Sequence, residues 1–177
     1  AILVGQVVAA LITGNRVLIK PAPQTRISGR RVFDFLRECN VPADSIYFLT
    51  LDNQASQEIL SNPKVNGVAF TGSLSTARTI QQQLFDHHPY PVPLIAETSG
   101  LNCMISDDSI LTEQMVRDVV YSAFGAAGQR CSALRVLFIH DTIFNETVEA
   151  IKGVMDILTV GDPIHPGTDL GPIIDQT

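Results

Sequence analysis

An α/β fold, with short parallel strands alternating with amphipathic helices, is what this sequence predicts, and three observations predict it. Short apolar runs such as Arg16–Lys20 and Ile46–Leu51 recur between longer stretches with helical spacing. The runs are apolar throughout instead of alternating, as strands of a parallel sheet covered on both faces are. The composition, 45% hydrophobic and 17% charged over 177 residues, supplies enough apolar surface to bury a core.

Taken in order, Ala1–Ile12 reads as a buried helix, too short to span a bilayer before Thr13-Gly14-Asn15 breaks it. Arg16–Lys20 is a strand stopped by Pro21, with Lys20 at the carboxyl end, where doubly wound sheets place ligands. A helix starting at Thr25 or Ser28 runs to Cys39, with Ile27, Val32, Phe35 and Leu36 near helical spacing. Ile46–Leu51 is the next strand, a helix opened by Asn53 or Ser56 ends by Asn62-Pro63, and Val65–Phe70 is a strand.

Phe70-Thr71-Gly72-Ser73 is then a strand-to-helix turn before a helix over Leu74–Phe85. The free N–H groups of its first turn and the Ser73 hydroxyl suit an anion such as a dinucleotide pyrophosphate, although the same residues also make an ordinary helix cap. Asp86–Pro93 is a Pro-rich connector, and the adjacent His87 and His88 are badly spaced for chelating one metal. The connector is expected to divide a lobe over residues 1–93 from one over residues 94–177.

In the second part, Leu94-Ile95-Ala96 forms a strand leading into Glu97, and Leu101–Ser106 forms another in which alternation buries Cys103. Asp107-Asp108-Ser109 is a turn and cap. A long helix from Leu111 or Thr112 turns Met115, Val119 and Phe124 toward Cys131. Val136–His140 is a strand, Phe144–Leu158 an amphipathic helix, and the segments at Gly161-Asp162-Pro163 and Gly171-Pro172 are loops.

Net charge of -6 and a pI near 5.0 give no basic face for nucleic acid. Three cysteines without C-x-x-C spacing support neither a disulfide framework nor a zinc site, so no metal is expected and a reducing cytoplasm fits best. Cys131 stands where a helical pattern gives way to a strand, after Gly125, Gly128 and the Gln129-Arg130 step, which presents its thiol. Cysteine is the strongest side-chain nucleophile near neutral pH, and a carboxylate buried at a strand end, as expected of Glu97, has the raised pKa that suits a general base.

The Ser122–Arg135 segment, S-A-F-G-A-A-G-Q-R-C-S-A-L-R, resembles the active-site segment of the aldehyde dehydrogenase superfamily. Four further segments agree in order: V-L-I-K-P-A over residues 17–22, F-T-G-S over 70–73, L-I-A-E-T-S-G over 94–100, and G-D-P at 161–163 followed by D-L-G-P at 169–172. The Cys131 segment and the E-T-x-G-x-N-x-M-I run are similar, more narrowly, to the glutamate-semialdehyde (pyrroline-5-carboxylate) dehydrogenase module of bifunctional proline-utilization proteins.

The resemblance implies a Rossmann-like NAD-binding lobe followed by the start of an α/β catalytic lobe. It implies Cys131 as nucleophile and Glu97, 34 residues earlier, as the base for thioester hydrolysis. Lys20 would hold the adenosine ribose, Gly72 and Ser73 the pyrophosphate, and Ser132 the substrate. NAD is the implied cofactor, with FAD expected only if the parent chain also carries a proline dehydrogenase module. A small aldehyde is the partner, in a homo-oligomeric parent.

The family's oxyanion Asn is expected upstream of residue 1 and an acidic ribose motif after Thr177, so the chain is expected to be a central fragment, inactive in isolation. Three departures stand out. Pro23 replaces an acidic residue three positions after Lys20, which predicts weaker NAD preference and tolerance of NADP. Ala77 replaces a second Gly, and Ser99 replaces a Gly whose position, if it needs positive φ, would be strained. Alternatives left open are a dehydrogenase for another semialdehyde or aldehyde, a CoA-dependent relative, and a catalytically silent assembly or binding domain.

Overall fold

The computed structural model describes residues 2–175. In order they form α1 (Ile2–Ile12), β1 (Val17–Ile19), α2 (Arg26–Glu38), β2 (Ile46–Phe48), α3 (Asn53–Leu60), β3 (Val68–Thr71), α4 (Leu74–His87), β4 (Leu94–Glu97), β5 (Asn102–Ser106), α5 (Thr112–Phe124), β6 (Leu134–Ile139) and α6 (Phe144–Ile157). All three strand pairs, β1 with β2, β3 with β4 and β5 with β6, are parallel, so the α/β expectation holds. The chain divides into two compact units, residues 1–98 and 99–177.

In the first unit, Ile19 and Ile46 are buried on the inner face of the β1–β2 pair, and Ala77, Ile80 and Leu84 on the inner face of α4. Phe33 and Phe48 meet with centroids 5.7 Å apart under the Arg30 guanidinium. Two expectations change. Only Val7 of α1 is buried, while Ile2, Val4, Val8 and Ile12 are exposed, so α1 is not a buried helix. The strands are also not covered on both faces, since Leu18, Tyr47 and Ile95 are exposed. Within this chain α1 meets its neighbours along the side that carries Val7 and Gln6, whose Nε2 reaches Thr71.

The unit boundary at Thr98/Ser99 falls five residues beyond the sequence-derived one at 93/94. The cause is pairing: β4 lies beside β3 in register Val68↔Leu94 to Thr71↔Glu97, and the Val68 N–H donates to the Pro93 carbonyl at 2.9 Å. The Pro-rich connector therefore leads straight into the sheet of the first unit.

The second unit packs α5 and α6 on one face of the β5–β6 pair, around Met115, Val119 and Leu134, with Met104, Leu137 and Ile151 against them. β6 begins at Leu134, two residues before the expected start, because Leu134 pairs with Asn102. Cys103 is exposed, contrary to the alternation argument. Met104 occupies the inward face, leaving Leu101, Cys103 and Ile105 outside.

Candidate active site

The loop that carries Cys131 begins where α5 stops. Gly125 leaves the helix at φ -52°, ψ 132°, and Ala126, Ala127 and Gly128 follow at φ 56°, 54° and 67°. Three consecutive left-handed residues reverse the chain tightly, and each alanine among them carries about 1–2 kcal/mol of strain. Gly128 is also sterically required, since a Cβ there would stand 2.9 Å from the Ala123 carbonyl oxygen.

A turn closed by the Ala133 N–H donating to the Arg130 carbonyl at 3.1 Å then places Cys131 and Ser132 at its two central positions, both exposed. The expectation that the thiol is presented, not buried, is met. Among the described residues nothing accepts from the Cys131 N–H, so that donor is free beside the thiol.

Side chains outside the turn fix it. Asn102 Nδ2 donates to the Cys131 carbonyl at 2.6 Å and to the Ala133 carbonyl at 3.0 Å. Arg135 donates to the Gly128 carbonyl at 2.6 Å. Arg130 donates to the Tyr121 carbonyl at 3.1 Å and lies over the Tyr121 ring, filling the space a Gly125 Cβ would need. Asn102 and Arg135 escaped the sequence reading, although Asn102 lies within the E-T-x-G-x-N run that signalled it. Met115 and Val119 pack on Leu134 and not toward Cys131 as expected; Phe124 lies apart from them in an open groove with Val154 and Leu158.

The remaining site residues lie in the first unit. Because β3 and β4 are parallel neighbours, Glu97 and the Gly72-Ser73 turn emerge side by side, and the Gly72 N–H donates to the Glu97 carbonyl at 3.1 Å. Gln6 Nε2 donates to Thr71 Oγ1 at 2.9 Å, steadying the same strand end. A Cβ at Gly72 would fall 2.5 Å from the Phe70 ring. Ser73 caps α4, its Oγ accepting from the Thr76 N–H at 3.2 Å, while the Leu74 and Ser75 N–H groups have no acceptor among the described residues. Ala77 is buried one turn in.

Lys20 is exposed just after β1 and makes no ion pair among the described residues. The first turns of α2 close on this strand end, where a Cβ at Gly29 would meet the Pro21 ring at 2.9 Å. A cation without an ion pair among the described residues and two first-turn N–H groups without an acceptor there are groups of the kind that engage a ribose and a pyrophosphate. Two expectations are corrected here. Glu97 is exposed, so the burial argued for it is absent, and Ser99 has no positive φ, so no strain arises there.

The chain belongs to the aldehyde dehydrogenase family, whose sequence model matches residues 1–177. The fold agrees, since all three strand pairs are parallel and alternate with helices. Within the family the similarity is to proteins of proline breakdown. Bifunctional protein PutA of Salmonella typhimurium is 44% identical over 99% of this chain, which spans 14% of that protein. A crystal structure of a proline utilization A mutant from Bradyrhizobium japonicum superposes with TM-score 0.93 at 44% identity, covering 99% of this chain and 18% of its own. 1-Pyrroline-5-carboxylate dehydrogenase from Thermus, solved with bound NAD, gives TM-score 0.90 at 28% identity, covering 99% of this chain and 34% of its own. No helix among the described residues is long and apolar enough to cross a membrane.

Proposed function

We propose that the protein containing this chain oxidises L-glutamate γ-semialdehyde to glutamate with NAD or NADP, as a step of proline catabolism. The observation that carries this is the exposed Cys131 on a turn whose own N–H is free. The Cys131 thiolate adds to the aldehyde carbon, giving a thiohemiacetal, and the developing oxyanion accepts from the Cys131 N–H; one such donor is worth about 3 kcal/mol. The nicotinamide cofactor, when bound, supplies the acceptor for the hydride of that carbon. Lys20, Gly72 and Ser73 hold its adenosine ribose and pyrophosphate.

Glu97 takes a proton from a water that attacks the resulting thioester, releasing the carboxylate and restoring the thiolate. Ser132, beside the nucleophile on the same turn, contacts the substrate. With Pro23 in place of an acidic residue, nothing in the turn after Lys20 repels a 2′-phosphate, which supports use of NADP. The relatives named for 1-pyrroline-5-carboxylate and proline support the substrate class.

The test is cofactor reduction by the full-length protein, offered glutamate semialdehyde and simple aldehydes with NAD or NADP, beside Cys131→Ala. Reduction that prefers glutamate semialdehyde and vanishes in the variant is expected. Preference for another aldehyde refutes the substrate, and an active Cys131→Ala protein refutes the mechanism.

A further inference from the structure

One polar side chain of the Cys131 loop reaches chain far along the sequence. Gln129 Oε1 accepts from the Ile174 N–H at 2.8 Å, across 45 residues, while its Nε2 lies 3.4 Å from the Pro172 carbonyl and 3.3 Å from the Ala126 carbonyl. In an extended chain the C=O of residue 172 and the N–H of residue 174 flank residue 173 on one side. A single carboxamide, with one acceptor and two donors, can therefore engage both as a neighbouring strand would.

The segment it grips is anchored at its other end. The Gly161 N–H donates to the Leu170 carbonyl at 2.9 Å, the Asp169 and Leu170 N–H groups to the Thr159 carbonyl at 2.9 and 3.1 Å, and the Thr159 N–H to Asp169 Oδ2 at 2.9 Å. Residues 159–170 thus form a loop closed by its own bonds, and residues 171–174 run from that closure to Gln129. On the near side, Gln129 directly precedes Arg130, whose carbonyl closes the turn bearing Cys131, and follows the strained Ala126–Gly128 reversal. Gln129 side-chain bonds to the Ala126 carbonyl and to residues 172 and 174 join these two segments.

The geometry points to Gln129 as a positioning residue: its carboxamide holds residues 172–174 against the nucleophile loop and so sets the direction in which the Cys131 thiol and N–H are presented. The inference rests on Cys131 being the nucleophile. It assigns Gln129 no contact with the aldehyde or cofactor.

The experiment compares Gln129→Met and Gln129→Glu in the full-length enzyme. Met keeps the length and loses both kinds of bond; Glu keeps the acceptor for the Ile174 N–H but sets a carboxylate oxygen against two carbonyls until it is protonated. Two readouts are taken, the rate of Cys131 alkylation by iodoacetamide and the separate values of kcat and KM. For Gln129→Met, a fall in kcat of about ten- to a hundredfold is expected, since small misplacements of a reacting group cost that much. Its KM for cofactor should stay unchanged and its alkylation rate should depart from wild type. Gln129→Glu, compared with wild type at each pH, should recover as pH falls toward the carboxyl pKa of ~4–5, where the protonated group again both donates and accepts. Wild-type kcat and alkylation in Gln129→Met would overturn the positioning role, as would a loss of activity accompanied by equal loss of cofactor binding and thermal stability. An active Cys131→Ala protein is a separate failure, of the nucleophile assignment itself.

Discussion

Reversing the glycine and alanine choice at adjacent positions of the Cys131 loop should change local stability in opposite directions. Ala127 sits at φ 54° and Gly128 at φ 67°. In Ala127→Gly the left-handed strain of about 1–2 kcal/mol disappears, offset by the about 0.5–1 kcal/mol that glycine loses in conformational freedom, a net gain of about 0.5–1 kcal/mol. Gly128→Ala reverses that balance and in addition drives a Cβ to 2.9 Å from the Ala123 carbonyl, a backbone atom that cannot swing aside. Overpacking of this kind costs about 1–3 kcal/mol, so a net loss near 2 kcal/mol is expected.

Amide hydrogen exchange of residues 122–133 in the native enzyme reads the opening of this loop alone, without requiring two-state unfolding of a large protein. Exchange limited by local opening should slow about two- to fivefold in Ala127→Gly and quicken about 25-fold in Gly128→Ala. Equal rates in both variants, or faster exchange in Ala127→Gly, would refute the assignment of strain to this turn.

Three further outcomes follow from the site. Asn102→Ala removes the donor shared by the Cys131 and Ala133 carbonyls; a loss of about 1–3 kcal/mol is expected, seen as faster exchange of the same peptide and an altered rate of Cys131 alkylation. Pro23→Glu restores a carboxylate that can accept from ribose hydroxyls and repel a 2′-phosphate, so the NAD to NADP ratio of kcat/KM should rise by about tenfold or more; an unchanged ratio removes the reason given for NADP use. The Asp107 carboxyl accepts from the Ser109 hydroxyl and N–H, which, with a smaller contribution from His140, hold its pKa below the usual aspartate value. A group whose pKa is lowered by folding stabilises above its unfolded pKa and loses that contribution as pH falls through the folded one. Asp107→Asn should therefore flatten the stability profile only in that acid range, and a carboxyl-carbon NMR titration of Asp107 should show its midpoint below the ordinary aspartate value.

The order of strands and helices was legible in the chain because each depends on local spacing: period 3.6 across Arg26–Glu38, unbroken apolar runs at Val17–Ile19 and Ile46–Phe48, and a cap at Ser73. The exposed Cys131 was legible for the same reason, since glycines and a polar step between a helix and a strand specify a turn. Which face of a strand is buried was not. Alternation puts Cys103 and Met104 on opposite sides of β5, yet only the docking of α5 and α6 makes Met104 the inward one. How many sides of the mostly apolar α1 are covered was likewise not legible, and Val7 alone of its residues is buried. Neighbourhood across the sheet is non-local too. Parallel pairing of β3 with β4 joins Glu97 to the Gly72-Ser73 turn in one unit, where the sequence had placed a lobe boundary between them. The Asn102 bonds to Cys131 and Ala133, and the Gln129 bonds to Pro172 and Ile174, span 29 to 45 residues, and no local pattern encodes such partners. Local spacing determined the elements and the exposed thiol; only the folded chain, by bringing distant backbone groups within hydrogen-bond reach, decided how that thiol is held.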